Sequence, residues 1–272
     1  MMIASGGLEP VMPLSGDERG LLLQIARCPL ITEAVTSAGH CCHQVVGAQT
    51  FPEPERQVPE GWAGNLGGAR VLFVSSNPSI SLPTSGQPKA VEPYPKAADS
   101  NDYIARFLGR RFDPAVRPLP YVKDSRALMR NGEYAQPTAF WREIQARAEE
   151  LLPGAADPAR NYVMTEVVHC KSRGNAGAAE AAETCAGRYL HDIAGLTAAP
   201  IVVVMGKIAQ RVIRNWFPEL TEPPSIHPQA VLGGRPRTFL FTGQPGSNQP
   251  RRIADLYGPS LEELQQIASA GE

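Results

Sequence analysis

Three polar loops, each directly after an apolar run, hold the side chains best suited to chemistry. They are Ser75-Ser-Asn-Pro-Ser79, Thr165-Glu-Val-Val-His-Cys-Lys-Ser-Arg-Gly-Asn175 and Gly243-Gln-Pro-Gly-Ser-Asn248. Loops at the carboxyl ends of parallel strands converge on one crevice, which is how an α/β sheet assembles a site. Pro78 fixes the first turn and leaves Asn77 presenting an amide at the strand end. Glu166 brings a carboxylate, which accepts hydrogen bonds and, when ionised, donates none. Gln244 brings a second amide.

The five cysteines are Cys28, Cys41, Cys42, Cys170 and Cys185. An odd count without a signal peptide argues against a disulfide framework and leaves metal, catalysis or burial. The residues from Met1 to Pro13 lack a basic start and an apolar core, so a cytoplasmic location is expected. No apolar run reaches the roughly 18 to 20 residues of a membrane span. The formal net charge of −1 gives no global footprint for nucleic acid. Local basic clusters stand at Arg110-Arg111, Lys171 with Arg173, Arg235 with Arg237, and Arg251-Arg252, two of them in the candidate loops. An enzyme acting on nucleic acid needs only such a local rim to hold a few phosphates.

The elements that must position these loops are legible from patterning. Val71-Leu-Phe-Val74 and Ile201-Val-Val-Val-Met205 read as strands buried on both faces, joined by strands over 162–168 and 238–242. Helices are predicted from Ser15, whose Ser-x-x-Glu is a capping box, to about Cys28. Others are expected over 100–112, from Thr138 to Leu151, over 178–196, over 207–216, and after Ser260. Residues 44–69, rich in Pro and Gly, read as an irregular connection. The alternation predicts an α/β fold, a single three-layer domain with a mostly parallel central sheet and helices on both faces. Residues 1–69 form an N-terminal extension packed on a domain of 70–272, with a long insertion at 80–137.

The second loop resembles the uracil-DNA glycosylase superfamily, in particular its iron–sulfur branch, which reads Thr-Asn-Val-Val-Lys-Cys-Arg-Pro-Pro-Gly-Asn there. The resemblance covers the strand–loop units from about Val71 to Leu256. It implies that Asn77 orients the attacking water, toward a sugar already close to an oxocarbenium ion. Glu166 stands where the family's Asn reads the uracil edge, with Ser76 beside it in the base pocket. Ionised, Glu166 would repel a carbonyl and favour an exocyclic amine. Gln244 stands where the family has the His that stabilises the departing base, and His227, in the preceding loop, is a second candidate. Lys171, Arg173, Ser247, Asn248 and Arg251 would hold DNA. Cys170 and Cys185, separated by 14 intervening residues, match the last two cluster ligands. Cys28 stands where the N-terminal ligands belong, but its Cys-x-x-Cys is missing. Cys42, or Cys41 in its place, would complete an iron–sulfur cluster of structural role. His40 and His43 make zinc a rival.

The expected function is a monofunctional glycosylase acting on duplex or single-stranded DNA as a monomer. It would take an amine-bearing, cytosine-like base rather than plain uracil. Uracil-DNA glycosylase activity and non-catalytic nucleic-acid binding are alternatives. A small-molecule nucleoside-processing hydrolase is disfavoured, since no Gly-x-Ser-x-Gly, P-loop or Gly-x-Gly-x-x-Gly is present.

Overall fold

The computed structural model describes residues 14–49, 51–80, 92–220, 226–247 and 252–270, with positions 227–229 described by their backbone. Helices α1 (Gly16–Ala26), α2 (Leu30–Thr36) and α3 (His43–Gly47) lead into strands β1 (Trp62–Gly64) and β2 (Val71–Ser75). Helix α4 (Asn101–Gly109), a small hairpin of β3 (Val122–Lys123) and β4 (Arg126–Ala127), and helix α5 (Ala139–Leu151) follow. Then come β5 (Tyr162–Glu166), α6 (Ala178–Gly195), β6 (Ile201–Met205), α7 (Lys207–Trp216), β7 (His227–Leu232) and β8 (Arg235–Thr242). Helices α8 (Ile253–Tyr257) and α9 (Leu261–Ser269) end the fold.

The chain is α/β, with one six-stranded mixed sheet in the order β1-β5-β2-β6-β8-β7. Its central strands β5, β2, β6 and β8 are parallel, and the edges β1 and β7 run antiparallel. Strand residues alternate between two cores, as the two-residue period of a strand requires. Leu72, Val74, Val163, Val202, Val204, Phe239 and Phe241 join one cluster with Leu22, Val45, Phe107, Tyr189 and Ile213. Val71, Phe73, Met164, Val203, Met205 and Leu240 join a second with Ile144, Leu151, Tyr257 and Leu264. Burial on both faces is why these strands read as unbroken apolar runs.

Several expectations are corrected. Residues 44–69 are not merely a connection: they include most of α3 and all of β1, which pairs Trp62 with Thr165 at the sheet edge. Trp62 is fully buried there, so its apolar surface outweighs the Pro and Gly around it. His227 lies not in a loop but at the start of β7, its backbone opposite Phe239. Gly233 and Gly234, at φ 62° and 76°, close the tight turn that lets β7 fold back on β8. Strand β5 stops at Glu166, although the amides of Val167 and Val168 still bond the carbonyls of Ser75 and Ser76. Ser15 forms both bonds of its capping box, whereas Thr138 and Ser260 sit at the N-cap position without a side-chain capping bond.

Candidate active site

Strands β5, β2, β6 and β8 end side by side, spaced about 4.8 Å apart as neighbouring strands are, and the three polar loops leave from there. Ser75 pairs with Glu166 in register at the last rung of β2 and β5. Beyond it, the Ser172 amide donates to the Pro78 carbonyl at 3.1 Å. The Asn77 amide Nδ2 donates to Ser172 Oγ at 2.9 Å and to the Pro78 carbonyl at 3.1 Å. Asn77 is only 7% exposed, and its Oδ1 is buried with no protein partner. A buried acceptor held rigidly and left unsatisfied costs stability, so such an atom signals a missing donor. Ser76 is buried beside it, its carbonyl committed to the Val168 amide.

Gly206 follows β6 at φ 80°. A Cβ there would stand 2.6 Å from Gln244 Oε1, so glycine is needed both for the backbone and for the Gln244 side chain lying over it. Gln244 Oε1 is itself buried without a partner. The Ser247 amide closes the third loop on the Gln244 carbonyl at 3.0 Å, and Arg147 holds the Gly243 carbonyl at 3.0 Å. Asn248, Arg251 and the His227 side chain lie outside the described residues.

Around Glu166 the chain places a buried ionic network that short-range sequence patterns do not reveal. Arg111, after α4, donates to Glu60 Oε1 at 2.8 Å and to Glu92 Oε1 at 2.5 Å. Lys171 Nζ stands 3.7 Å from Glu60 Oε2 and 3.7 Å from the centre of the Tyr94 ring. The Tyr94 hydroxyl donates to Glu60 Oε2 at 3.4 Å. Burial pushes the Glu60 carboxyl up, but Arg111 and Lys171 outweigh it and hold it below the ordinary range. Burial lowers Lys171 despite Glu60. Glu166 goes the other way: burial, then the Glu60 charge, raises its carboxyl well above the usual range, with Lys171 and Arg111 opposing.

Lys171 is thus corrected from a DNA contact to a buried counter-ion. Its ammonium is desolvated and held between Glu60 and Tyr94, where no phosphate competes. Two other basic pairs lose a member in the same way. Arg111 is locked by its two carboxylates, and Arg237 is buried, donating to the carbonyls of Leu232, Ala194, Thr197 and Ala199. Arg173 remains exposed.

The thiols converge at the second loop, which itself contributes Cys170. Cys28, Cys42, Cys170 and Cys185 line one enclosed cavity, together with Leu30, Ile31, Val45, Val46, Val168 and Tyr189. Gly177 makes this possible: at φ 70° it carries no Cβ, and one would collide with the Val45 backbone, so α3 lies directly on the start of α6. That contact carries Cys42, at the N-cap of α3, toward Cys185 on α6. Burial, then neighbouring thiols, pushes Cys42 up to about 12 and, with the His169 amide opposing, Cys185 likewise up to about 12. Cys170 is raised well above the ordinary thiol by the same causes. Desolvated thiols of this kind become thiolates on meeting a cationic centre.

Cys41 faces Thr184 Oγ1 at 3.4 Å and is absent from the cavity wall. Among the described residues, His40, Cys41 and Cys42 bring ligand atoms within 4.8 Å of one another, close enough for one ion. His40 Nδ1 accepts the Cys42 amide at 3.1 Å and its Nε2 faces Glu33 at 3.7 Å, while His43 Nδ1 bonds the Ala34 carbonyl at 2.7 Å. His40 and His43 are thus each held by the surrounding chain, and Cys42 belongs both to this group and to the four-thiol cavity.

A groove of about 660 Å³ runs past Gly16, Gln24, His191 and Gly234, at the amino ends of the parallel strands. It contains none of the candidate residues. Among the described residues no helix is long and apolar enough to cross a membrane. No protein-family model matches the chain, and no curated protein matches it in sequence.

Proposed function

We propose that the chain is a monofunctional DNA glycosylase, acting as a cytoplasmic monomer on a base flipped from a duplex or presented in a single strand. We read its sheet and two cores as a three-layer domain, with residues 1–69 packed on 70–272. The observation that carries the reading is Asn77: an amide fixed by Ser172, with Oδ1 buried and unpartnered at the mouth of the parallel strands. Oδ1 accepts a hydrogen from water and aims its lone pair at the sugar carbon. The C–N bond breaks with its electron pair going to the base, and the water oxygen bonds to the sugar and releases a proton to solvent. A sugar near the oxocarbenium ion needs little nucleophilic activation, so a neutral amide suffices.

Glu166, with Ser76 beside it, faces the base edge. A half-turn of the Gln244 amide puts Nε2 in place of the unpartnered Oε1, as a donor for the oxygen of the departing base. Arg173, with Ser247, Asn248 and Arg251, holds the phosphates. Cys28, Cys42, Cys170 and Cys185 would hold an iron–sulfur cluster that ties the N-terminal helices to the sheet. The preference for an amine-bearing base presupposes an ionised Glu166, a state that its burial beside Glu60 disfavours.

The test is incubation of purified protein with single- and double-stranded oligonucleotides carrying uracil, cytosine derivatives or adenine derivatives. Alkali-labile sites at one base, without strand breakage before alkali, are expected. Binding without base release favours a non-catalytic DNA-binding protein. Release from free nucleosides but not from oligonucleotides favours a nucleoside hydrolase.

A further inference from the structure

Glu166 is 6% exposed, and its Oε2 is buried with no hydrogen-bond partner. Charged groups from three other segments face it: Glu60 before β1, Arg111 after α4, and Lys171 in the loop after β5, with Glu92 and Tyr94 behind them. Arg111 forks between Glu60 and Glu92, and Lys171 stands against Glu60. Two carboxylates and two cations are thus matched before Glu166 is counted. Ionising Glu166 would add a third negative charge to the same network, with nothing donating to Oε2. A buried, unpaired charge of that kind is strongly disfavoured.

We propose that Glu166 reads the pairing edge of the flipped base as a neutral carboxylic acid, with a hydroxyl donor and a carbonyl acceptor side by side. This rests on the glycosylase reading above and specifies its substrate class. A carboxylate admits only edges that donate. A neutral carboxyl makes two bonds with any edge that sets N–H beside an acceptor, so uracil, with its N3–H and O4, is accepted along with cytosine derivatives. The Glu60–Arg111–Lys171 network acts as the positioning device: it fixes the local charge balance so that the proton stays on Glu166.

The state of Glu166 can be read without any DNA. The infrared spectrum of the full chain at neutral pH should contain a protonated-carboxyl C=O band that is absent in Glu166→Gln. A difference spectrum showing instead the loss of an ionised carboxylate band overturns the proposal. In base release from a uracil oligonucleotide, Glu166→Gln keeps a donor and an acceptor in the same shape and should lose less activity than an apolar replacement. Glu166→Leu, similar in size and apolar, should lose about 5- to 150-fold. Equal losses in both variants, with each folded by circular dichroism, also overturn the proposal. A protonated band with no base release from any oligonucleotide removes the glycosylase reading, and the base-reading role with it, while the neutral carboxyl stands.

Discussion

Asn77 donates to Ser172 Oγ at 2.9 Å, a side-chain bond between the loop after β2 and the loop after β5. It also fixes which end of the amide is free, because Nδ2 is used and Oδ1 is not. Asn77→Ala should therefore lower the rate of base release by about 10²- to 10⁴-fold, the range for a positioned group that activates the attacking atom. Ser172→Ala should lower it less and cost about 1 kcal/mol of stability, the net worth of one hydrogen bond. Single-turnover rates and urea midpoints separate the two effects. A parent-like rate in Asn77→Ala would remove the water-positioning role.

Gln244 lies over Gly206, where no Cβ intervenes. If it serves the departing base, Gln244→His should keep the fold and raise the rate. A cationic or better-polarised donor stabilises developing negative charge in a dry pocket more than a neutral amide does, and one such donor is worth up to about 10²- to 10³-fold. No gain in Gln244→His, together with loss of activity in His227→Ala, would transfer the role to His227.

The central strands and the loops after them were legible because both faces of the sheet are buried, which leaves continuous runs such as Ile201–Met205. Asn77 and Gln244 fell into place for the same reason, each standing two residues past the end of such a strand. The Glu166 network was not legible. Glu60, Glu92 and Arg111 come from three irregular stretches with no shared period; the bonds between Glu60 and His169 and the packing of Tyr94 and Phe107 bring them to the end of β5. Charge counting over the sequence treated Lys171 and Arg237 as surface cations for the same reason: pairing in space leaves no mark on neighbours in the chain. Strand β7 did leave a mark, the Gly-Gly pair between Leu232 and Arg235, which is a hairpin turn signal.

The thiol cavity separates Cys42 from Cys41. Anaerobically purified protein should be brown, with iron and sulfide near four per chain if the cluster is of the cubane type. Cys170→Ser and Cys42→Ser should lose iron and solubility together, and Cys41→Ser should keep both. Loss of iron in Cys41→Ser with retention in Cys42→Ser would reverse the assignment. Colourless protein with one zinc per chain would replace the cluster with the His40–Cys41–Cys42 group.

His169 and Glu166 should pull stability in opposite directions as pH falls. His169 Nδ1 bonds the Glu60 carbonyl at 2.7 Å, its Nε2 is buried without a partner, and burial depresses its pKa to about 4. An unfolded His titrates near 6.5, so between these values the unfolded chain binds more protons. The stabilisation is complete above about pH 6.5 and is lost as pH falls toward 4, amounting to roughly 3 kcal/mol. Glu166 has the reverse sign. Its raised folded-state pKa gives a contribution fully present below the unfolded value near 4.5 and lost as pH rises through the folded value, so acidification restores it. Glu60, held low by its cations, adds a loss of its own only below about pH 4.5. In urea titrations, Glu166→Gln should therefore show a steeper fall between pH 6.5 and 4.5 than the parent, because the opposing carboxyl is gone. His169→Phe should flatten the fall or invert it. Identical pH profiles in all three proteins would mean that neither group is buried in the protonation state described.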